Sequence, residues 1–287
     1  MKGKELRRIL TAAGVAVTVV ACAPTVNLLN PAMPKFEGAY APVSAQAAPV
    51  SPGPIRVVSF NVKLADQIDS TIEVLRGAEL RDADIIALQE MDETGVERIA
   101  RALHLNYIYY PGSIHPTRQR YFGPALLTPW PIVATSKLIL PHEGLVRHQR
   151  RNATGATIEV RGACVRAYAV HLETQLRASP HEREDQVDAV LEDAAAFPCP
   201  VVVAGDFNSW GIGRYLEERG YVWPTKHVGK TITVFSWDHI FARGLELPDS
   251  GYAGQVKQIR GASDHRPVWA TLLPRQPDRV AVSSQEP

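Results

Sequence analysis

Between Ile55 and Leu273 the chain alternates short apolar runs with single amphipathic stretches, and polar residues gather where the runs stop. Pro200-Val201-Val202-Val203-Ala204 has no polar alternation, the pattern of a strand covered on both faces. Ile55–Phe60 is strand-like, and Asp84–Leu88 reads as a second buried strand. Tyr107–Tyr110, Pro124–Thr128, Ile132–Leu140, Ala153–Val160, Cys164–Leu172, Asp238–Ala242 and Pro267–Leu273 read as further strands, with Pro and Gly marking the turns. Helical spacing runs through Gln67–Leu80, Thr94–Leu103 and Arg183–Phe197, the last with Val187, Val190, Leu191 and Ala194 inward. Strands outnumber helices, and two or three strands separate one helix from the next. The pattern predicts an α+β fold, a four-layer α/β/β/α sandwich of two mixed β-sheets with flanking helices.

The N-terminus follows a different pattern. Met1-Lys2-Gly3-Lys4-Glu5-Leu6-Arg7-Arg8 is basic, and Ile9–Ala21 is apolar but short for a bilayer span, as in a signal-peptide core. Cys22 after Val19-Val20-Ala21 resembles a bacterial lipobox, which implies cleavage before Cys22 and lipidation of its thiol. Ala21-Cys22-Ala23 and Ala45-Gln46-Ala47 are alternative, ordinary cleavage sites. Residues 23–54 are rich in Pro and Ala, poor in charge and without period, and read as a disordered tether reaching on the order of 30 Å. The expected organisation is a signal over 1–22, this tether, a globular domain over 55–273 and a flexible tail over 274–287. The protein is thus expected to be exported and held at a bacterial membrane by lipid, or else periplasmic or secreted.

Composition narrows the partners more than the fold. The 287 residues are 45% hydrophobic, ample for a core, and the net charge is only +1. That balance excludes a strongly basic nucleic-acid footprint, so contact with a polyanion has to be local.

The polar residues at the strand ends are Asn61, Glu90, His171, Asp206, Asn208, Asp238, Asp264 and His265. Singly, each has a plain structural explanation: a cap, a surface acid, an Asx turn, a core histidine. Asp206 and Asn208, two apart at the end of an extended run, project to the same side, and a core has no use for such a pair. All eight share a position beside a short apolar run, where a rigid sheet can fix their geometry.

At these residues the chain resembles the endonuclease/exonuclease/phosphatase superfamily, metal-dependent phosphoesterases that include pancreatic-type deoxyribonucleases, abasic-site endonucleases, neutral sphingomyelinases and inositol polyphosphate 5-phosphatases. The matching pieces are S-F-N at Asn61, L-Q-E at Glu90, G-P-A-L-L at Gly123–Leu127, V-H-L at His171, G-D-F-N at Asp206–Asn208, W-D-H-I-F at Asp238 and S-D-H-R-P at Asp264–His265. They fall in family order and cover essentially Ile55–Leu273. The resemblance implies that Glu90, with Asn61 and Asp264, holds a divalent cation, and an all-oxygen shell suits Mg²⁺ or Mn²⁺. It implies that Asp206 positions and deprotonates the attacking water and that Asn208 bonds the phosphate. His265, steadied by Asp238, would contact the phosphoryl group, with the base role assigned jointly to Asp206 and His265. His171 would donate to a nonbridging oxygen or assist the leaving group.

Two positions depart from the family pattern. Lys63 stands where several nucleases of the family have a metal-binding aspartate, and Asp92 where pancreatic-type deoxyribonucleases have an arginine. Lys63, Arg150 and Arg151 are candidate contacts to substrate phosphate. The clusters Arg118/Arg120 and Arg147/Arg150/Arg151 are equally readable as solvated surface. Cys164 lies seven residues before His171 and Cys199 seven before Asp206, so parallel neighbouring strands would bring the thiols together, and in an oxidising compartment they would bridge. No exposed aromatic hairpin of the kind that enters a membrane is evident.

These readings converge on a monomeric, Mg²⁺-dependent phosphodiesterase or nuclease-type hydrolase. A sphingomyelinase-like lipid phosphodiesterase or an inositol-phosphate phosphatase fits the same residues. A non-catalytic envelope binding module is the rival of a different class, and the intact acidic and histidine set argues against it.

Overall fold

Uninterrupted β-branched runs have no solvent face to offer, and here they become the central strands of two sheets stacked face to face. The computed structural model describes residues 25–42 and 53–275. The signal segment, Cys22, the Ala45-Gln46-Ala47 site and residues 276–287 lie outside the described residues.

In chain order the strands are β1 (Val26–Asn27), β2 (Phe36–Gly38), β3 (Ile55–Asn61), β4 (Ile85–Met91), β5 (Asn106–Tyr109), β6 (Ser113–Ile114), β7 (Tyr121–Thr128) and β8 (Ile132–Glu143). They continue as β9 (Arg150–Val160), β10 (Ala163–His171), β11 (Val201–Asp206), β12 (Asp238–Arg243), β13 (Leu245–Glu246), β14 (Ala253–Gln255) and β15 (Val268–Pro274). Four α-helices are described: α1 (Ile68–Leu75), α2 (Glu93–Leu103), α3 (Pro180–Ala195) and α4 (Ile212–Glu217). The larger sheet runs β1-β6-β7-β4-β3-β15-β13, with β5, β2 and β14 branching from it, and the smaller runs β12-β11-β10-β9-β8. Both are mixed: β3–β4 and β10–β11 are parallel, and their remaining neighbours antiparallel.

Three apolar clusters separate four layers. Val57, Ile85, Leu126, Ile158, Val202 and Ile240 fill the space between the sheets. Phe60, Leu88, Ile72, Leu75, Val96 and Ile99 lie between the larger sheet and α1 and α2, while Val201, Val203, Val187, Val190 and Phe241 lie between the smaller sheet and α3. The fold is the expected α/β/β/α sandwich. α2 starts at Asp92, whose side chain accepts the Gly95 amide at 2.7 Å, and α3 starts in a capping box between Ser179 and Glu182. α1 stops at Leu75, short of the expected Leu80, and α4, only six residues long, has too few turns to show a period in sequence.

The tether expected over residues 23–54 is corrected by residues 25–42. β1 pairs with β6 and β2 with β5, extending the larger sheet. Lys137, 4% exposed, donates through Nζ to the carbonyls of Leu28 at 2.7 Å and Met33 at 3.2 Å. Burial pushes its ammonium down to about 8, so the cation depends on those backbone acceptors. Strands of two and three residues, paired with partners far along the chain, leave no periodic trace, and Pro/Ala composition therefore misleads here.

The pairing of β10 with β11 sets the site. The register runs from Arg166 opposite Val201 to His171 opposite Asp206. Gly205 permits it, because a Cβ there would strike the Val170 carbonyl. The same offset carries Cys164 opposite Cys199 at the other end, where a disulfide joins them with Cα atoms 5.4 Å apart. Closing a loop across a sequence separation of 35 removes chain entropy from the unfolded state. Replacing both cysteines with alanine should lower unfolding free energy by about 3 kcal/mol, read as a shift in urea midpoint. Turnover in buffer should be unchanged, since the bridge is at the far end of the strands.

Candidate active site

The strands deliver their terminal polar residues to one rim of the sandwich. β3 ends in Asn61, β4 carries Glu90, β10 ends in His171 and β11 in Asp206, while β12 begins with Asp238 directly opposite Asp206. The loop before β15 supplies Asp264 and His265.

Asn61, 1% exposed, is the hub. Its Nδ2 donates to Glu90 Oε1 at 3.2 Å and to Asp206 Oδ2 at 3.1 Å, while its Oδ1 accepts the Lys63 amide at 3.1 Å. The other Glu90 oxygen accepts the Leu64 amide at 2.9 Å. Two carboxylates thus converge on one side-chain amide, and turning that amide over would add its oxygen to theirs. This all-oxygen donor set fits a hard divalent cation. Asp264, the third expected ligand, is exposed and pairs with Lys63 Nζ at 3.3 Å.

Beside this hub sits a buried charge cluster. His265 Nδ1 and Asp238 Oδ2 share a hydrogen bond of 2.8 Å, and His265 Nε2 lies 3.8 Å from Asp206 Oδ2. Burial opposes a charge on His265, but Asp238, and after it Asp206 and Asp264, outweigh burial and raise the imidazole to about 10. Asp238 is fully buried, and its Oδ1 finds no hydrogen-bond partner, so His265 is its principal compensation. Burial and then the Asp238 charge push Asp206 above the ordinary carboxylate range, against the pull of His265. Asp206, Asp238 and His265 offer ligand atoms within 4.8 Å of one another. An imidazolium has no free lone pair, so this trio suits proton handling better than metal binding. Asn208 completes the turn: its amide donates to Asp206 Oδ1 at 2.9 Å and its Nδ2 to the Leu172 carbonyl at 3.0 Å, which fixes the carboxamide against the ends of β10 and β11.

His171 faces Asp206 from the other flank, with Nε2 3.6 Å from Asp206 Oδ2. Its Nδ1 meets the Arg151 guanidinium at 3.2 Å. Since Arg only donates, Nδ1 accepts and the ring hydrogen sits on Nε2. Burial first, then Arg151 and His265, hold His171 well below its ordinary value, so it is neutral. Arg151 is 6% exposed and spans to Glu173 Oε2 at 3.2 Å and Oε1 at 3.3 Å. Arg151 is therefore not the rim contact to phosphate that its sequence cluster suggests; it lies beneath His171 and fixes that ring.

Four other cations are also engaged. Arg150 pairs with Glu143 at 3.2 Å, and Lys63 with Asp264. Arg118 and Arg120 bind Asp66, and Arg120 also binds Asp92 at 2.6 Å and the Leu64 carbonyl at 3.1 Å. Asp92, the departure from the deoxyribonuclease pattern, thus caps α2 and anchors the arginine that pins the Lys63–Asp66 loop. Sequence reasoning passed over Glu173 and gave Ser263, the first residue of S-D-H-R-P, no role. Glu173 repeats the spacing of two seen at Asp206–Asn208, which was a usable signal. Ser263 donates through Oγ to the Asn61 carbonyl at 2.7 Å and accepts the His265 amide at 3.1 Å.

Comparison with known proteins finds relatives of both the sequence and the fold. Curated relatives are a UPF0294 protein of Vibrio cholerae, 33% identical over 98 residues covering 30% of this chain and 32% of that protein, and one of Vibrio vulnificus, 32% identical over 100 residues covering 32% and 34%. The chain therefore matches about a third of the length of those relatives. Among solved structures, an endonuclease/exonuclease/phosphatase of Bacteroides vulgatus superimposes with TM-score 0.63 at 17% identity over 78% of this chain and 100% of that one. A protein of the same description from Beutenbergia cavernae gives 0.59 at 20% over 77% and 71%, and humanised D. rerio TDP2 gives 0.59 at 17% over 76% and 98%. The model of the Endonuclease/Exonuclease/phosphatase family matches residues 58–265, which contain every polar strand end described above, and the chain belongs to that family.

Proposed function

We propose that the chain is a divalent-cation-dependent hydrolase of phosphate esters, of phosphodiesterase or nuclease type. The observation that carries this is the meeting of Glu90, Asn61 and Asp206 beside the Asp206/His265/Asp238 cluster. Glu90 and Asn61, with Asp264 once released from Lys63, are the residues to hold Mg²⁺ or Mn²⁺; when bound, the ion polarises a phosphoryl oxygen and offsets charge in the transition state.

The remaining steps belong to side chains of this chain. Asp206, with its proton affinity raised, orients the attacking water and takes its proton at Oδ2. His265, cationic through Asp238, presents Nε2–H toward the same space, where it donates to the phosphoryl group and relieves the negative charge that builds there. His171, neutral and hydrogen-bearing at Nε2, donates to a nonbridging oxygen; the Arg151 contact at Nδ1 suits this role better than proton transfer to a leaving group. Lys63, drawn from Asp264, becomes free to face a substrate phosphate. For location, the basic start, the apolar stretch before Cys22 and the lipobox resemblance support export and a lipid anchor at a bacterial membrane.

With bis-p-nitrophenyl phosphate as substrate, EDTA should abolish turnover and added Mg²⁺ restore it. Asp206→Asn should leave the thermal unfolding curve in place and reduce kcat at least about a hundredfold; near-normal turnover would remove Asp206 from the mechanism. Glu90→Gln should raise the Mg²⁺ concentration for half-maximal rate, and an unchanged titration would move the cation elsewhere.

Glu173→Gln tests the support beneath His171. Burial opposes the Glu173 charge, but Arg151 and the Thr174 amide lower its pKa on balance. A carboxylate with a depressed folded value stabilises above its unfolded pKa of about 4.3. That contribution is lost as pH falls through the folded value. The variant leaves the Arg151 charge buried and unpaired, so urea unfolding at neutral pH should show a loss of about 3 kcal/mol. The gap to wild type should narrow as pH drops below about 4.

A further inference from the structure

The active-site rim carries a second feature that the proposed chemistry does not use. At this end of the smaller sheet, successive strands are joined or preceded by loops that expose large apolar side chains. Before Asp238 of β12, Thr231–Trp237 folds into a tight turn in which Ile232 bridges Phe235, and Val234 is 58% and Phe235 45% exposed. Phe235 stacks on Trp237 with ring centroids 4.6 Å apart. This is the exposed aromatic turn that the sequence did not reveal. After β11 comes Trp210, 47% exposed; after β10, Leu176, 92% exposed; and before β9, Leu145 at 71% and Val146 at 57%. The Leu145 amide donates to the Arg177 carbonyl at 3.1 Å, which ties two of these loops together.

Cations stand among these tips. Lys63, Arg118, Arg120, Arg150 and Arg151 are paired with carboxylates. Arg147, Arg177 and Lys230 lie in the apolar loops or beside them and have no such partner among the described residues. The described chain also begins at this rim. The Thr25 amide donates to the Arg147 carbonyl at 2.8 Å, Asn27 Nδ2 to the His148 carbonyl at 2.7 Å, and the Arg150 amide to Asn27 Oδ1 at 2.8 Å. Cys22 is three residues before Thr25, and three residues reach about 10 Å when extended.

We propose that this rim is a membrane-docking face, on which the apolar tips enter an anionic phospholipid surface and Arg147, Arg177 and Lys230 meet its headgroup phosphates. Isolated aliphatic tips suit acyl chains, and three unpaired cations suit an anionic leaflet. A nucleic acid would instead call for a continuous basic track, whereas Lys63, Arg118, Arg120, Arg150 and Arg151 are already committed to carboxylates. A lipid on Cys22, as the lipobox resemblance implies, would add a second attachment near the same rim. The site then opens onto phospholipid headgroups as its ester class; that last step rests on the phosphoesterase reading, whereas docking does not.

The test uses the chain from Ala23 onward, which carries neither the apolar Ile9–Ala21 stretch nor the Cys22 thiol. It is floated with vesicles of phosphatidylcholine alone and of equal parts phosphatidylcholine and phosphatidylglycerol, and bis-p-nitrophenyl phosphate turnover is measured in parallel. Flotation is expected with the anionic vesicles and at least about tenfold weaker partition onto phosphatidylcholine alone. Leu145→Ser with Phe235→Ser should weaken partition at least about tenfold while soluble turnover is unchanged. Val146→Ser with Val234→Ser serves if that pair does not fold. No flotation of the parent, or equal flotation of both variants, overturns the docking face. So does duplex DNA binding that is lost in the same variants while vesicle binding is not. Flotation as expected without any soluble turnover leaves docking standing and sinks the phosphoesterase reading alone.

Discussion

Asp206 and Asp238 are paired directly across β11 and β12, both buried, so the strand register forces two carboxylates into one dry neighbourhood. Left alone, like charges so placed would drive one of them to hold a proton or push the strands apart. His265 resolves the conflict by reaching in from the loop before β15 and bonding Asp238. That single contact links the larger sheet's last strand to the smaller sheet's edge. It favours the cationic form of His265 and leaves Asp206 the member of the pair with raised proton affinity. Position of the loop, charge of the imidazole and basicity of the carboxylate are thus one property rather than three.

How much of this can be read from residues alone depends on the distance over which each signal acts. The layers were legible because buried strands announce themselves locally: Val201-Val202-Val203 needs no partner to be recognised. The members of the site were legible because each sits just past such a run. The cysteines were placed by arithmetic, the offset of 35 between His171 and Asp206 being the same as that between Cys164 and Cys199. What stayed hidden depends on pairing between distant segments. Arg151 looks like an exposed basic residue until Glu173 is seen beneath it, and Lys137 looks like a surface lysine until the Leu28 and Met33 carbonyls cover it. Phe235 and Val234 look like core residues and are exposed because a tight turn lifts them out. Asp264 was placed correctly at the rim, yet its side chain goes to Lys63, a choice no motif encodes.

The N-terminal segment changes how the molecule is viewed. Far from being a spacer, residues 25–42 complete the larger sheet at β6 and β5 and cover Lys137. The loop that ends in Arg150 and Arg151 is held partly by Thr25 and Asn27, so the support beneath His171 is continuous with the start of the described chain. Anything that pulls on that start is felt within a few residues of the site.

The backbone around the rim is held in a conformation that side chains of this handedness resist. Lys63, Leu64 and Ala65 are left-handed in succession, and so are Glu90 and Asn208, although none is glycine. Each such residue sits roughly 1 kcal/mol above its relaxed state, and the surrounding sheets must over-determine the shape to keep it. Glycine would release that tension at Glu90 or Asn208, but only by deleting the group the bend exists to aim. A search for hardier versions of this protein would therefore meet its conflict with activity at the loop ends, and would find its freest ground on the outer faces of α2 and α3.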